Sequence, residues 1–384
     1  MAPPFRILIL TVDYGSGHRS AANALAAEFA QSYGAQTIVR IVNPFHMPLA
    51  PSAFRKLEDR YLALLRHGPA RYDLLYRMTD AALIAGALRQ CVARLLRPAV
   101  RELLGAQPPH AVIGVFPCLT AGVAACVEGA IAPPVLMTVV TDLGPPHCLW
   151  WTPTDDLSAV ATPAAQARLL GRGAPAAQVI VTGVPVHPAF AAPRAPVARL
   201  RGDLGWCLDL PTVLLLGGGA GVGDLASLAM AIDASSLAVQ LAIVTGTNRA
   251  LEAQLHALRW RHPAYIYGQL PLLADPMHAA DIVVTRAGGL AVSEALAAGK
   301  PLVIHGSSPG QERGNRAYVC AGGAGVAARS PQALICAISR MLRPGAYQAA
   351  AAAARRLARP QAALGVARCV WSRLWAEGGH GRMQ

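Results

Sequence analysis

The 384-residue sequence carries no Cys-x-x-Cys pair among its eight scattered cysteines. That spacing argues against a structural zinc site and a disulfide framework, and fits a reducing cytosol. A membrane-spanning run is missing too. The longest uncharged stretch, residues 103–127, contains a Pro-Pro pair and several glycines, and reads as a loop, a buried strand and a following helix. No basic-then-apolar leader precedes the first strand pattern, into which residues 1–4 run directly. There is no low-complexity tail, clustered basic tail or aromatic-interleaved basic stripe of the kind that marks a nucleic-acid surface. Acidic residues are scarce, 21 against 34 basic ones, giving a formal charge of +13. That excess favours polyanionic partners such as nucleic acid, anionic lipid headgroups or phosphorylated substrates, and composition alone does not choose among them.

What is present points to two domains. The length exceeds a comfortable single domain, and hydrophobic residues make up 54% of the chain, much of it alanine. Short apolar runs suited to buried parallel strands fall at residues 6–12, 37–42, 111–116, 135–141, 158–162 and 179–182. A second series follows at residues 212–216, 239–245, 265–267, 281–285 and 302–305. Helix-like segments alternate with both series, so the expected class is α/β, two doubly wound parallel sheets. The Pro/Ala/Arg-rich residues 187–203 read as a linker. The expected organisation is an N-terminal domain over 1–190 with a helical, arginine-rich stretch at 52–104. A C-terminal domain follows over 205–350, the segment 351–384 is expected to be helical and to pack across the domains, and the Ala/Arg-rich stretch 346–374 reads as a helix packing across the surface.

Each half opens with strand, glycine loop and helix. The amide groups and dipole of a helix N-terminus suit an anionic group. The first loop, Gly15-Ser-Gly17-His-Arg-Ser20, has serine where a dinucleotide fingerprint requires its third glycine. The second strand ends at Val42-Asn43, without the carboxylate that grips an adenosine ribose. His18 stands just past this turn, at the helix start. A neutral imidazole there can accept a proton from a hydroxyl, and it can equally serve as a cap or packing residue. The most informative stretch runs from Asp281 to Pro301: a strand, a turn at Gly288-Gly289, and a helix bearing Glu294. A carboxylate one turn into a helix can accept both hydroxyls of a ribose while the preceding amides face a diphosphate. Gln311 and Glu312, at the mouth of the next loop, are placed to bond sugar hydroxyls. The plainer readings are a solvated helix carboxylate for Glu294 and a helix-start turn for Gln311-Glu312.

These motifs together resemble the two-domain GT-B glycosyltransferases of the monogalactosyldiacylglycerol synthase and processive diacylglycerol glucosyltransferase group, related to the lipid II-forming N-acetylglucosaminyltransferase. The resemblance rests on Asp13-Tyr-Gly-Ser-Gly-His-Arg-Ser20, Thr141-Asp142 with His147 and Trp150, and Thr182-Gly-Val-Pro-Val186 in the first half. In the second half it rests on Gly217-Gly-Gly-Ala-Gly221, Thr285-Arg-Ala-Gly-Gly289 with Ser293-Glu294, and Pro309-Gly-Gln-Glu312 with Asn315. It implies two Rossmann-like domains facing a cleft, with Glu294 on the ribose and the Gly288-Gly289 turn on the diphosphate. It also implies Gln311 and Glu312 on the donor sugar, with Asn315 and Arg286 in the same donor set. The loop of Gly217, Gly219 and Gly221 would lie at the cleft, and Asn248 with Gly268-Gln269 at the uracil end. Gly17, His147 and Trp150 would lie on the acceptor side, with His18 or Asp142 as the base. Three departures stand out. Arg286 replaces the usual lysine, Ala287 replaces the frequent proline, and the Asp142-to-His147 segment is one residue longer than usual.

The implied activity is an inverting transfer of a hexose from UDP-glucose or UDP-galactose to a hydroxyl of a membrane lipid such as diacylglycerol. No cofactor or obligatory metal is expected, and the location is the inner face of the cell membrane, held peripherally. Arg60, Arg66, Arg71, Arg77, Arg89, Arg94 and Arg97 interleave with Leu and Tyr between residues 55 and 101, as an interfacial segment would. The same spacing fits an apolar core with a solvated arginine rim. Rival readings are a non-lipid acceptor, a UDP-sugar epimerase working without an acceptor, and a nucleotide-sugar-binding protein without catalysis.

Overall fold

The computed structural model describes residues 3–14, 17–218, 224–306 and 309–378. The chain divides into two compact units, one of residues 1–14, 18–188 and 361–384, the other of 15–17 and 189–360.

The first unit is built from β1 (Phe5–Leu10), α1 (Gly17–Tyr33), β2 (Thr37–Val42), α2 (Ser52–His67), α3 (Pro69–Thr79), α4 (Ala82–Ala106), β3 (Ala111–Gly114), α5 (Leu119–Val127), β4 (Val135–Val139), β5 (Leu157–Val160), α6 (Pro163–Leu170) and β6 (Val179–Val181). The second contains α7 (Val197–Asp203), β7 (Thr212–Leu216), α8 (Leu225–Asp233), β8 (Gln240–Val244), α9 (Arg249–His256), β9 (Ala264–Tyr267), α10 (Ala274–Ala279), β10 (Ile282–Thr285), α11 (Gly289–Ala297), β11 (Leu302–His305), α12 (Gln311–Ala321), β12 (Gly325–Ala328), α13 (Pro331–Met341) and α14 (Pro344–Leu357). The last helix, α15 (Ala362–Gly378), belongs to the first unit.

Each unit carries a six-stranded, wholly parallel sheet, ordered β2-β1-β3-β4-β5-β6 and β12-β11-β10-β7-β8-β9. Parallel strands covered on both faces need apolar side chains at every position, and β3, β4, β5, β7, β8, β10 and β11 are buried throughout. In both sheets the chain reverses its winding direction once, between β1 and β3 and between β7 and β10. Ligands of open α/β sheets bind in the crevice that such a reversal opens at the carboxyl ends of the strands.

Two expectations are corrected here. Residues 187–203 are not simply a linker, because Val197–Asp203 is helical and packs on α10. Its Arg201 is buried and pairs with Asp281 at 2.5 Å while also donating to the carbonyls of Ala279, Leu208 and Leu210. The end of the chain is not a surface segment either. The Ala-Arg-Pro stretch at 358–360 splits it into α14 and α15, and Ala363, Val366, Ala367, Val370 and Leu374 of α15 complete the core of the first unit against β1, β3, β4 and α1. Trp371 stacks on Tyr33 at 4.1 Å between ring centroids and meets Phe5 edge-on. The strand β12 escapes a sequence reading because Gly-Val-Ala-Ala has little β character. It is held by close approach: a Cβ on Gly325 would lie 2.5 Å from the Leu302 carbonyl oxygen.

Because α15 supplies core rather than cover, Val370→Ala should destabilise the first unit by about 2 kcal/mol, the usual cost of removing buried methyl groups. Urea unfolding followed by tryptophan fluorescence would measure it. An unchanged midpoint would mean that α15 is not part of that core.

Candidate functional site

In the second unit the residues singled out from sequence gather at the carboxyl ends of the strands. Gly217 follows β7, and its N–H donates to the Val244 carbonyl of β8 at 3.0 Å. Gly218 takes the left-handed φ of 68°. Gly219 and Gly221 lie outside the described residues. Arg286, Ala287 and Gly288 form the turn after β10, directly across the β7/β10 reversal, and Gly288 is the cap from which α11 starts. The first amides of a helix have no intrahelical acceptor, so this turn presents free N–H donors at the sheet edge. Ser293 Oγ donates to the Gly289 carbonyl at 2.7 Å and stiffens that first turn.

Glu294 sits one turn into α11, 9% exposed, and no described residue hydrogen-bonds its carboxylate. Burial alone raises its pKa to about 8. A solvated helix carboxylate is therefore excluded for this residue. Around it, Arg286 donates to Glu312 at 3.2 Å. Burial raises the Glu312 pKa and Arg286 only partly opposes this. Gln311 opens α12 just after Gly310, whose φ is 56°.

Two members of the predicted donor set are committed to the fold. Asn315 is fully buried and donates to the Ala287 carbonyl at 2.9 Å, tying α12 to the β10–α11 turn. Asn248 Oδ1 accepts from the Leu251 N–H at 3.0 Å and caps α9. Gly268 and Gln269 follow β9. The Glu252 carboxylate lies against Gly268 so closely that a Cβ there would be 2.8 Å from it. One residue that sequence reasoning passed over belongs to the same edge: His305, the last residue of β11, 5% exposed. Its signal in the sequence is a histidine ending an otherwise apolar strand just before a glycine loop.

Gly17 opens α1, and His18, which follows it, belongs to the first unit. His18 Nδ1 lies 2.9 Å from the Val115 carbonyl oxygen and 3.1 Å from Thr141 Oγ1. A carbonyl only accepts, so the proton resides on Nδ1 and the Nε2 lone pair is left available. Burial lowers the His18 pKa to about 4, with the Val115 bond opposing only in part, so the ring is neutral at physiological pH. Phe116 meets the ring edge-on at 5.0 Å and Trp150 lies 6.1 Å away. Trp150 is buried and donates from Nε1 to Asp142 Oδ2 at 3.0 Å, so these two residues are brought together.

His147 is held on both ring nitrogens within the first unit. Its Nε2 donates to the Tyr76 carbonyl at 3.0 Å and lies 3.2 Å from Thr79 Oγ1, while its Nδ1 accepts from the Leu149 N–H. Nε2 thus anchors the end of α3, while Nδ1 caps the short turn at residues 148–150. Nearby, Asp13, His46 and Glu58 bring three ligand-type groups within 4.8 Å of one another. Their oxygens are already met by Arg19, Asn43, His46 Nε2 and the Asp13 N–H, a closed network that pins the β1–α1 segment to α2.

The raised pKa of Glu294 carries a signed consequence for the free protein. Its carboxylate ionises more readily unfolded than folded, so the residue costs stability as pH rises from its usual range near 4.5 toward 8. Glu294→Gln should therefore raise the melting temperature at pH 8 by more than at pH 5, seen by calorimetry across pH. An equal effect at both values would mean that the carboxylate is already compensated.

Comparison with known proteins agrees with this division. The monogalactosyldiacylglycerol (MGDG) synthase family matches residues 18–186, and the glycosyltransferase family 28 C-terminal domain matches residues 212–363. Monogalactosyldiacylglycerol synthase 1 of Arabidopsis thaliana is 29% identical over 338 residues, covering 86% of this chain, which spans 63% of that relative's length. The monogalactosyldiacylglycerol synthase of Spinacia oleracea is 30% identical over 360 residues, covering 89% of this chain and 67% of its own. Among solved structures, Acinetobacter baumannii MurG is similar with a TM-score of 0.58 at 17% identity, over 96% of this chain and all of the other. The UDP-GlcNAc 2-epimerase of Neisseria meningitidis, bound to UDP-GlcNAc, is similar with a TM-score of 0.58 at 14% identity, over 96% of this chain and all of the other. Anabaena HepE, in complex with UDP and glucose, has a TM-score of 0.54 at 18% identity, with coverage of 96% and 100%. At such identities the structural likenesses speak for the fold alone, and that fold is GT-B. The sequence relatives carry the assignment further, and on their strength the chain belongs to the monogalactosyldiacylglycerol synthase family of glycosyltransferases.

Proposed function

We propose that the chain transfers a galactosyl group from UDP-galactose to the free hydroxyl of diacylglycerol, with inversion at the anomeric carbon. The observation that carries the reading is Glu294, a buried carboxylate with no donor among the described residues, in the helix that follows a glycine turn. Paired hydroxyls of a ribose supply the two donors it lacks. The choice of galactose over glucose follows the family's named relatives.

In this reading the second unit holds the donor. Glu294 takes the ribose, the amides at Gly288 and Gly289 take the diphosphate, and Gly268 and Gln269 take the uracil end. Gln311 and Glu312 bond the hexose, while Asn315 and Asn248 shape the site by fixing the turns around it. The first unit supplies the base. His18 Nε2 accepts the proton of the acceptor hydroxyl as its oxygen bonds to the anomeric carbon. The bond from that carbon to the phosphate oxygen breaks, and UDP departs with the electron pair. Helix N-terminal amides and Arg286 stabilise the charge that develops on the leaving group. Asp142, held by Trp150, is the alternative base.

A lipid acceptor requires access to a membrane. No helix among the described residues is long and apolar enough to cross one. The α3–α4 region nevertheless exposes Leu74, Leu75, Met78, Leu83, Ile84 and Leu88, with Leu83 90% exposed. Exposed apolar residues beside Arg71, Arg77 and Arg94 suit an interfacial surface on an anionic leaflet better than a solvated rim.

Four measurements test this reading. Label from UDP-galactose should enter lipid in vesicles containing diacylglycerol, and label found only in water-soluble product would refute the acceptor. His18→Ala should lower turnover by about 10²- to 10⁴-fold with UDP affinity kept, and Glu294→Ala should abolish UDP binding in calorimetry. Leu83→Asp should reduce flotation with anionic liposomes, whereas undiminished flotation would remove α3–α4 as the contact.

A further inference from the structure

His305 closes β11 with its side chain almost wholly buried, and its Nε2 has no hydrogen-bond partner among the described residues. Buried ring nitrogens nearly always have one. Side-chain alternation along β11 puts His305 on the face of Val303, the face packed by α8 and α13. Two charged groups lie close enough to act on it: Arg286, in the turn after β10, and Asp224, at the cap position of α8. Neither is its hydrogen-bond partner, and Arg286 is already paired with Glu312. The orphaned nitrogen therefore stands at the carboxyl edge of the sheet, on a strand next to the one that leads into Glu294.

The ring chemistry narrows what would fill the vacancy. Burial, with Arg286 adding to it, keeps this imidazole neutral, its pKa near 4. A neutral imidazole offers one donor and one acceptor. Phosphate oxygens at neutral pH only accept and are better served by cations and amides, which the Gly288–Gly289 turn and Arg286 already provide. A sugar hydroxyl both donates and accepts, and matches the ring.

We propose that His305 recognises the hexose of the donor, pairing its unpartnered ring nitrogen with a hydroxyl of the transferred sugar and so helping to set which UDP-hexose is used. The proposal rests on the reading of the second unit as the donor site and adds a specificity-determining side chain to it.

The experiment is calorimetry with UDP, UDP-galactose and UDP-glucose on the full chain, its His305→Leu and its His305→Asn variants, with thermal melts as the folding control. Leucine fills the space without polar atoms, while asparagine keeps a donor and an acceptor. UDP affinity should be the same in all three. His305→Leu should weaken UDP-hexose binding relative to UDP by about tenfold, the equivalent of one hydrogen bond, and should narrow the difference between galactose and glucose. His305→Asn should retain most of both. An unchanged ratio of UDP-hexose to UDP affinity in His305→Leu would overturn the assignment, as would an equal loss for all three ligands, which would make the residue structural. Absence of UDP binding by the unaltered chain is the distinct result that would sink the donor-site reading, and His305 with it.

Discussion

A carboxylate enclosed by protein without a hydrogen-bond donor is costly to keep, and among the described residues Glu294 is in that position. Its surroundings hold it there. Ser293 stiffens the helix turn before it, Asn315 ties the preceding turn to α12, and Arg286 is drawn off to Glu312 instead of neutralising it. Under the proposed function that cost is recovered on binding, when the paired hydroxyls of a ribose supply donors, and a ligand without them would leave the carboxylate unpaired.

The first unit holds a neutral imidazole, His18, at a helix start. The Val115 carbonyl lies at the end of β3, beside the β1/β3 reversal, and takes the proton on His18 Nδ1. That choice of tautomer leaves Nε2 as the open nitrogen. Burial against Phe116 then keeps the ring neutral well below physiological pH. The nearby Asp13, Arg19, Asn43, Glu58 and His46 network supports the segment leading into the helix. His147, close in sequence to Asp142, gives Nε2 to the end of α3 and Nδ1 to the Leu149 N–H of its own turn.

Both sheets, and most of their strands, were legible because a parallel strand buried on two faces is largely apolar, as in Thr212–Leu216 and in Leu302–His305 up to its terminal histidine. The glycine turns and Glu294 were legible for a related reason: a turn that must open a helix at a strand end leaves few alternatives in residue type. What escaped was set by distant neighbours. The helix at Val197–Asp203 hid in a Pro- and Ala-rich stretch, since its stability comes from burying Arg201 against Asp281, 80 residues on. β12 depends on Gly325 fitting against Leu302, and α15 looked like a surface helix because alanine suits both surface and core. Asn248 and Asn315 looked like ligand contacts; their bonds to Leu251 and Ala287 appear only once the turns are folded.

By itself, then, the sequence determined the class of fold and most of the series of strands in each half, because periodicity and turn composition are local properties. Tertiary structure alone decided which polar groups are satisfied and which are left wanting. Glu294, His18 Nε2 and His305 Nε2 are distinguished from Asn315, Asn248 and His147 only by what the folded chain brings within hydrogen-bonding distance of each. Burial and partnership depend on residues far apart in the chain, and no local pattern encodes them.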